Sequence, residues 1–177
     1  METVGVETDM STFRVVETKA GYVAYVAGGE GLKRVFMPQP SASAAIAVLR
    51  REFADARADA RLLPELAREL ARFFAGKRVD FDVKLDVADA GAFEQAVWRA
   101  CRRIPYGQTV SYARLAQRVG RPRAARAVGN AMRRNRLPFV VPCHRVLCSD
   151  GSLGGYAGCS GLSLKRDLLD METAGAN

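Results

Sequence analysis

With 177 residues, 49% of them apolar, the chain can hold one large domain or two small ones over a shared core, and its composition excludes general disorder. It has no run of eighteen apolar residues, and Met1 to Ser11 carries Glu2, Glu7 and Asp9 where a leader would be basic. Neither a membrane span nor a signal peptide is therefore expected, and the location expected is the cytoplasm, in association with the nucleoid. The net charge of +8 is divided unevenly: residues 1–98 carry 13 Lys and Arg against 15 Asp and Glu, whereas residues 99–177 carry 14 against 4. A basic second half favours an anionic partner, nucleic acid ahead of an acidic membrane surface, although charge alone fits a merely basic surface equally well.

Residues 12–37 read as a meander of three short strands around Phe13-Val15, Tyr22-Val26 and Leu32-Phe36, separated by Ala20-Gly21 and Gly28-Gly29-Glu30-Gly31. Ser41 or Ser43 can cap a helix through Ala45, Leu49 and Phe53. Pro64 can open a second, carrying Leu66, Leu70, Phe73 and Phe74 and stopping at Gly76. Both are amphipathic, which assigns Phe73 and Phe74 to the core. Val79-Phe81-Val83 alternates with Asp80, Asp82 and Lys84 as a strand would, and Asp86 to Gly91 reads as a linker between halves.

From Phe93 a helix runs through Val97, Trp98 and Cys101 to Ile104, ended by Pro105-Tyr106-Gly107; Trp98 and Cys101 are expected to be packing residues. Ser111 caps a short helix to Val119. The turn Gly120-Arg121-Pro122 leads into a helix from about Arg123 to Arg134, which is helix-turn-helix punctuation. That helix carries Ala124, Ala127, Val128 and Ala131 on a small-residue side and Arg123, Arg126, Arg133 and Arg134 as positive charge, as suits approach to a nucleic-acid groove. After residue 148, Ser149-Asp150-Gly151 and Gly154-Gly155-Tyr156-Ala157-Gly158 form a glycine-rich loop without a phosphate-binding pattern. It reads as a pocket wall, followed by a last helix from about Leu162 to Glu172.

Cys143 and the only histidine, His144, stand side by side behind the apolar run Leu137-Pro138-Phe139-Val140-Val141-Pro142. Pro142 restricts the residue before it, so Val140-Val141 is expected to end a buried strand that delivers Cys143. Free thiols are expected, because Cys101, Cys143, Cys148 and Cys159 have no C-x-x-C spacing and no export signal accompanies them. An arbitrary cysteine is most often a small apolar core residue, but adjacency to the sole histidine points to a nucleophile whose proton the imidazole can hold. Three chemistries stay open: a hydrolase in which thiol and base touch, a zinc site from Cys143, His144, Cys148 and Cys159, and a thiolate relayed through water to His144. Neighbours in an extended chain point apart, which disfavours direct contact, and adjacent Cys-His is not a usual zinc spacing. Glu172, Asp170 and Asp167 are the acids able to orient the imidazole.

Pro142-Cys143-His144-Arg145-Val146 resembles the signature of the methylated-DNA–protein-cysteine methyltransferases, the O6-alkylguanine-DNA alkyltransferases. Phe93 to Trp98, Ile104 to Tyr112 and Arg126 to Met132 resemble further family segments in the same order. The resemblance is strong from about Phe93 to Glu172 and looser before it. It implies an α/β fold class, with an N-terminal α/β domain (residues 1–87) bearing a small antiparallel, ribonuclease-H-like sheet and a mostly helical winged helix-turn-helix domain (residues 88–177).

It further implies direct repair: an alkylated guanine is flipped out of duplex DNA approached from the minor groove, and the alkyl group on its O6, or on O4 of thymine, moves irreversibly to Cys143, once per molecule. By the same resemblance His144 shares the thiol proton through water with Glu172 behind it. Tyr112 donates to the leaving O6, Asn135 ties the helix-turn-helix to the acceptor segment, and Arg126 enters the stack. Arg123, Ala127, Ser111 and Arg133 complete the DNA-binding set, while Val146, Tyr156 and Ala157 line the base pocket with Tyr112. No cofactor and no metal is implied, and a monomer is expected. The sequence departs from the pattern at Arg136, where proline is usual, and in a loop after Tyr156 that is two residues longer, which bears on alkyl-group preference. The rivals are a lesion sensor that does not transfer, which would lack the acceptor cysteine, and a DNA-binding regulator whose thiols sense oxidant.

Overall fold

The computed structural model describes residues 11–155 and 161–176. Strands β1 (Thr12–Thr18), β2 (Gly21–Gly28) and β3 (Gly31–Val35) form the expected antiparallel meander, and the short β4 (Arg57–Ala58) adds in parallel beside β1, giving the order β3-β2-β1-β4. The apolar run of β2 is continuous because both faces are covered, as a two-sided strand requires. Val23 and Tyr25 face the main core, while Ala24 and Val26 face a smaller cluster under α1 (Ala42–Arg50) that includes Ala45 and Leu49. Ser41 caps α1, accepting from Ala44 N at 3.1 Å, and Phe53 lies beyond the helix end.

Helix α2 (Pro64–Phe74) opens on its proline and buries Leu66, Leu70, Phe73 and Phe74. Phe73 is the hub of an aromatic group. Its ring centroid lies 5.2 Å from Phe74, 5.8 Å from Phe81, 6.4 Å from Tyr106, 5.9 Å from Phe139 and 6.0 Å from the His144 ring. The same core continues through Trp98, Leu115 and Val141, so the two halves of the chain share it.

Residues 79–84 are not a strand, although Val79 is buried and its neighbours alternate in exposure as the sequence pattern predicts. Two of their carbonyls go elsewhere: Arg102 Nη2 donates to Phe81 O at 2.7 Å and to Val83 O at 3.3 Å, where a ladder would need a neighbouring strand. Pairing resumes only at Leu85, a single parallel bridge to Leu32.

In the second half, α3 (Ala92–Arg102) leads to β5 (Val110–Ser111), α4 (Tyr112–Arg118) and α5 (Ala125–Arg133). A 3-10 turn (Cys143–Arg145), β6 (Val146–Leu147) and α6 (Gly161–Gly175) follow. The turn between α4 and α5 runs longer than expected, so Arg123 precedes the helix and Ala124 occupies its N-cap. Among the described residues no helix is long and apolar enough to cross a membrane.

Candidate active site

Parallel pairing of β5 with β6 sets Val110 against Val146 and Ser111 against Leu147. Tyr112, the first residue of α4, therefore stands beside the chain that leaves Cys143. Ser111 caps α4 by accepting from Arg114 N at 3.0 Å. Trp98 Nε1 donates to Ala131 O at 2.9 Å, a buried bond that ties α5 to α3.

The acceptor segment corrects the expected strand end at Val140-Val141. Residues 136–141 form turns and bends, Phe139 has φ +71°, and Cys143 sits on the 3-10 turn. Pro138 and Pro142 supply no N–H, and the remaining donors close locally: Val140 N on Pro138 O at 2.9 Å, Val141 N on Leu137 O at 2.8 Å, Cys143 N on Val141 O at 2.7 Å. The left-handed Phe139 costs on the order of 1–2 kcal/mol. Its ring, 4.9 Å from Phe74 and 5.9 Å from Phe73, offsets that by packing.

Cys143 is 8% exposed, buried yet reachable. Asn135 holds it: Nδ2 donates to Val141 O at 2.9 Å and to the Cys143 sulfur at 3.2 Å, and Oδ1 accepts from Leu137 N at 2.9 Å. A 3-10 turn rotates successive side chains by about 120°, so the imidazole of His144 goes inward while the thiol faces outward. His144 is fully buried, with Nε2 2.7 Å from Glu172 Oε1. An ionised carboxylate only accepts, so Nε2 carries the hydrogen and Nδ1, which has no hydrogen-bond partner among the described residues, presents its lone pair. Burial lowers the His144 pKa against the opposing pull of Glu172, which keeps the ring neutral at neutral pH.

Glu172 also accepts from Arg145, through Nε at 2.9 Å and Nη2 at 2.9 Å, and from Gly107 N at 3.0 Å. Burial pushes its carboxyl up, but the hydrogen bonds from His144 and Arg145 outweigh that and hold it at about 2. With His144 neutral, Arg145 is the lasting cation of the group.

A cavity of about 850 Å³ opens over the thiol. Cys143, Tyr112, Asn135, Arg126 and Arg133 line it together with Met37, Cys148, Gly154 and Gly155. Burial raises the Tyr112 phenol to about 12, so its hydroxyl stays protonated and able to donate. Gly154 has φ +64°, and a Cβ there would meet the Cys148 sulfur at 3.1 Å and the Tyr112 ring at 3.2 Å. The loop can close on Tyr112 only as glycine.

The profile of the family described as 6-O-methylguanine DNA methyltransferase, DNA binding domain, matches residues 92–174. A methylated-DNA–protein-cysteine methyltransferase of Methanosarcina barkeri is 48% identical over 108 residues, 61% of this chain and 66% of its own length. The crystal structure of Mycobacterium tuberculosis O6-methylguanine methyltransferase superposes with a TM-score of 0.79 at 34% identity, covering 95% of this chain and 96% of that one. A structure of the M. tuberculosis protein in complex with DNA gives 0.78 at 34% identity, over 93% and 94% of the two chains. The chain belongs to the methylated-DNA–protein-cysteine methyltransferase family.

Not every residue expected of a methyltransferase of this family reaches the cavity. Val146 is wholly buried and its carbonyl accepts from Lys165 Nζ at 2.7 Å. Ser111, Arg123 and Ala127 do not line the cavity, and Tyr156 and Ala157, with Cys159, lie outside the described residues. Asp167 and Asp170 are exposed, which leaves Glu172 as the acid on His144. Three contributors were not singled out from the sequence. Arg145 is in the motif itself, beside the buried histidine. Lys165 is fully buried, bonded to Val146 O and Leu153 O with its ammonium 5.9 Å from the Tyr112 ring centre. Met37 comes from the first half and carries no sequence signal at all.

Proposed function

We propose that Cys143 accepts the alkyl group from O6 of an alkylated guanine in double-stranded DNA, irreversibly and once per molecule, as direct repair. The observation that carries the reading is the cavity lined by both Cys143, its sulfur held by Asn135, and Tyr112, with the buried His144–Glu172 pair adjoining Cys143 in the chain through His144. In the proposed step the thiol proton passes through a water to Nδ1 of His144, the sulfur attacks the alkyl carbon, and the carbon–O6 bond breaks. Tyr112 gives a proton to the departing guanine, so that the base leaves neutral, and the proton held on His144 restores the phenol through solvent. The products are a thioether and an unmodified base. The thioether resists water, and no group in the cavity can reverse it.

The base must leave the stack to reach a sulfur recessed in a cavity, and a damaged pair is the least costly to open. Helix α5 is the proposed groove-facing element: Val128 and Ala131 turn into the core, while the exposed Ala127 and the half-buried Gly129 leave room for close approach from the minor groove, with Arg126 at the cavity mouth able to fill the emptied place. The α4-turn-α5 pair then acts as a helix-turn-helix with the β5–β6 pair as its wing. The parallel β4 beside the meander supports a ribonuclease-H-like description of the first half. An alkyl group on O4 of thymine presents the same oxygen–carbon bond and falls within the same chemistry. The protein is read as a nucleoid-associated monomer of the cytoplasm.

The test is the intact mass after incubation with a duplex containing O6-methylguanine. One methyl should replace one hydrogen, on Cys143 by peptide mapping, and Cys143→Ala should gain nothing. Methylation elsewhere, or none, sinks the proposal.

A further inference from the structure

Beside the packing of Phe139 on Phe73 and Phe74, the acceptor segment is tied to the first half of the chain by hydrogen bonds of Arg136, next to Asn135. Arg136 Nη1 donates to Asp89 Oδ2 at 2.6 Å, its Nη2 reaches the other oxygen of the same carboxylate, and Nη2 also donates to Asp86 O at 3.0 Å. Both ends of the guanidinium are thus fixed on residues 86–89, where the chain passes from one half to the other. The Arg136 carbonyl accepts from Val35 N at 3.0 Å, which fixes the same residue to the end of β3. Two residues beyond Val35, Met37 lines the cavity. On its other side Arg136 adjoins Asn135, whose amide holds the Cys143 sulfur.

We infer that Arg136 is a positioning residue for the acceptor thiol: clamped on Asp89 by its side chain and on Val35 by its carbonyl, it fixes the peptide from which Asn135 reaches the sulfur. The inference rests on Cys143 being the acceptor. An isolated ion pair at the surface contributes little, but this one is bidentate and has a third bond to a carbonyl, a geometry that restricts the guanidinium in both position and plane. A hydrogen bond to sulfur is sensitive to such restriction, because it strengthens as the thiol ionises only if the donor stays in line. Lys165, Tyr112 and Cys101 also lie near enough to Cys143 for electrostatic interaction with it. The clamp's bonds go to Asp89, to the Asp86 carbonyl and to Val35 N, so its variants leave these groups unsubstituted.

The experiment is the pH–rate profile for iodoacetamide alkylation of Cys143, read by peptide mass spectrometry, with Cys148 in the same cavity as the internal reference. Wild type is compared with Asp89→Asn, Arg136→Ala, Arg136→Lys and the charge-exchanged pair Asp89→Arg with Arg136→Asp. The expected result is that Asp89→Asn and Arg136→Ala slow Cys143 at neutral pH about fivefold and move its profile to higher pH. Cys148 should be unmoved, Arg136→Lys should be intermediate, and the exchanged pair should recover most of the loss. Asp89→Asn is isosteric and serves if Arg136→Ala does not fold. An unchanged Cys143 profile in Asp89→Asn, or a Cys148 profile that shifts equally, overturns the inference. Iodoacetamide requires no DNA, so a wild type that fails to take methyl from the duplex sinks the acceptor reading by a separate measurement.

Discussion

His144 Nε2 and Glu172 Oε1, 28 residues apart in sequence, lie 2.7 Å from each other in the interior, and the same carboxylate accepts from two nitrogens of Arg145. One acid therefore does two things: it fixes the imidazole tautomer that leaves Nδ1 open, and it neutralises a buried guanidinium. Glu172→Gln separates them. The amide keeps the shape but leaves Arg145 an uncompensated cation, which should cost about 3 kcal/mol of stability. Nε2–H also loses its ionised acceptor, so transfer to Cys143 should slow at least tenfold. Urea denaturation and single-turnover transfer rates measure the two effects; a variant as stable and fast as wild type would refute the coupling.

The same group predicts acid sensitivity in two stages. Burial depresses the His144 pKa below its ordinary 6.5, so below that pH the unfolded chain binds a proton that the folded chain does not, and stability falls. Glu172 is depressed from 4.5 to about 2; its contribution is complete above 4.5 and is lost as pH falls from there toward 2. A shift of that size corresponds to roughly 3 kcal/mol. Urea midpoints recorded from pH 8 down to pH 3.5 should drop first below about 6.5 and again below about 4.5. In Glu172→Gln the second drop should shrink.

Much of this site is legible in the sequence, because Cys143 and His144 are adjacent and because Lys165, Leu168 and Glu172 share one face of a helix. That a lysine and a glutamate fall on the buried stripe of α6 is itself a signal of function; chain position and family resemblance point to Glu172, and neither points to Lys165. The backbone that presents Cys143 is not legible. Nothing marks Phe139 for a left-handed conformation, since the packing that holds it there comes from Phe73 and Phe74 on α2. The alternation at Val79-Phe81-Val83 foretells which side chains turn inward but not the hydrogen bonding, which the side chain of Arg102 takes over. Likewise Asp89 and Met37 join the site through contacts 47 and more residues apart, beyond any local pattern.

Burial pushes the Tyr112 phenol up to about 12, and in the proposed step it is the proton source for a base that would otherwise leave as an anion. Tyr112→Phe should keep the cavity's shape and the ring that Lys165 faces while removing the donor. Loss of general-acid assistance of this kind costs about a hundredfold in rate. Single-turnover transfer from an O6-methylguanine duplex should fall by that order, with iodoacetamide alkylation of Cys143 nearly unchanged. An equal loss in both reactions would mean that the substitution disturbs the thiol and that the hydroxyl has no separate role.

Arg126 is exposed on α5 and lines the cavity mouth, so its charge can serve DNA in two ways that separate experimentally. As a phosphate contact it would weaken binding to any duplex when replaced by Ala, and the dependence of log K on log salt would become shallower by about one unit. As the residue that occupies the vacated place in the stack, it would act only where a nucleotide must be flipped. Arg126→Ala should then slow transfer from an O6-methylguanine duplex, measured at saturating DNA, at least tenfold, since a stacked replacement contributes about 1–3 kcal/mol. Transfer from the free base O6-benzylguanine, which needs no flipping, should stay within about twofold of wild type. Arg133, on the same helix and also at the cavity, is the control: Arg133→Ala should reduce affinity and salt dependence without this split. A parallel loss on duplex and free base would place Arg126 in the wall of the base pocket and remove it from the stack.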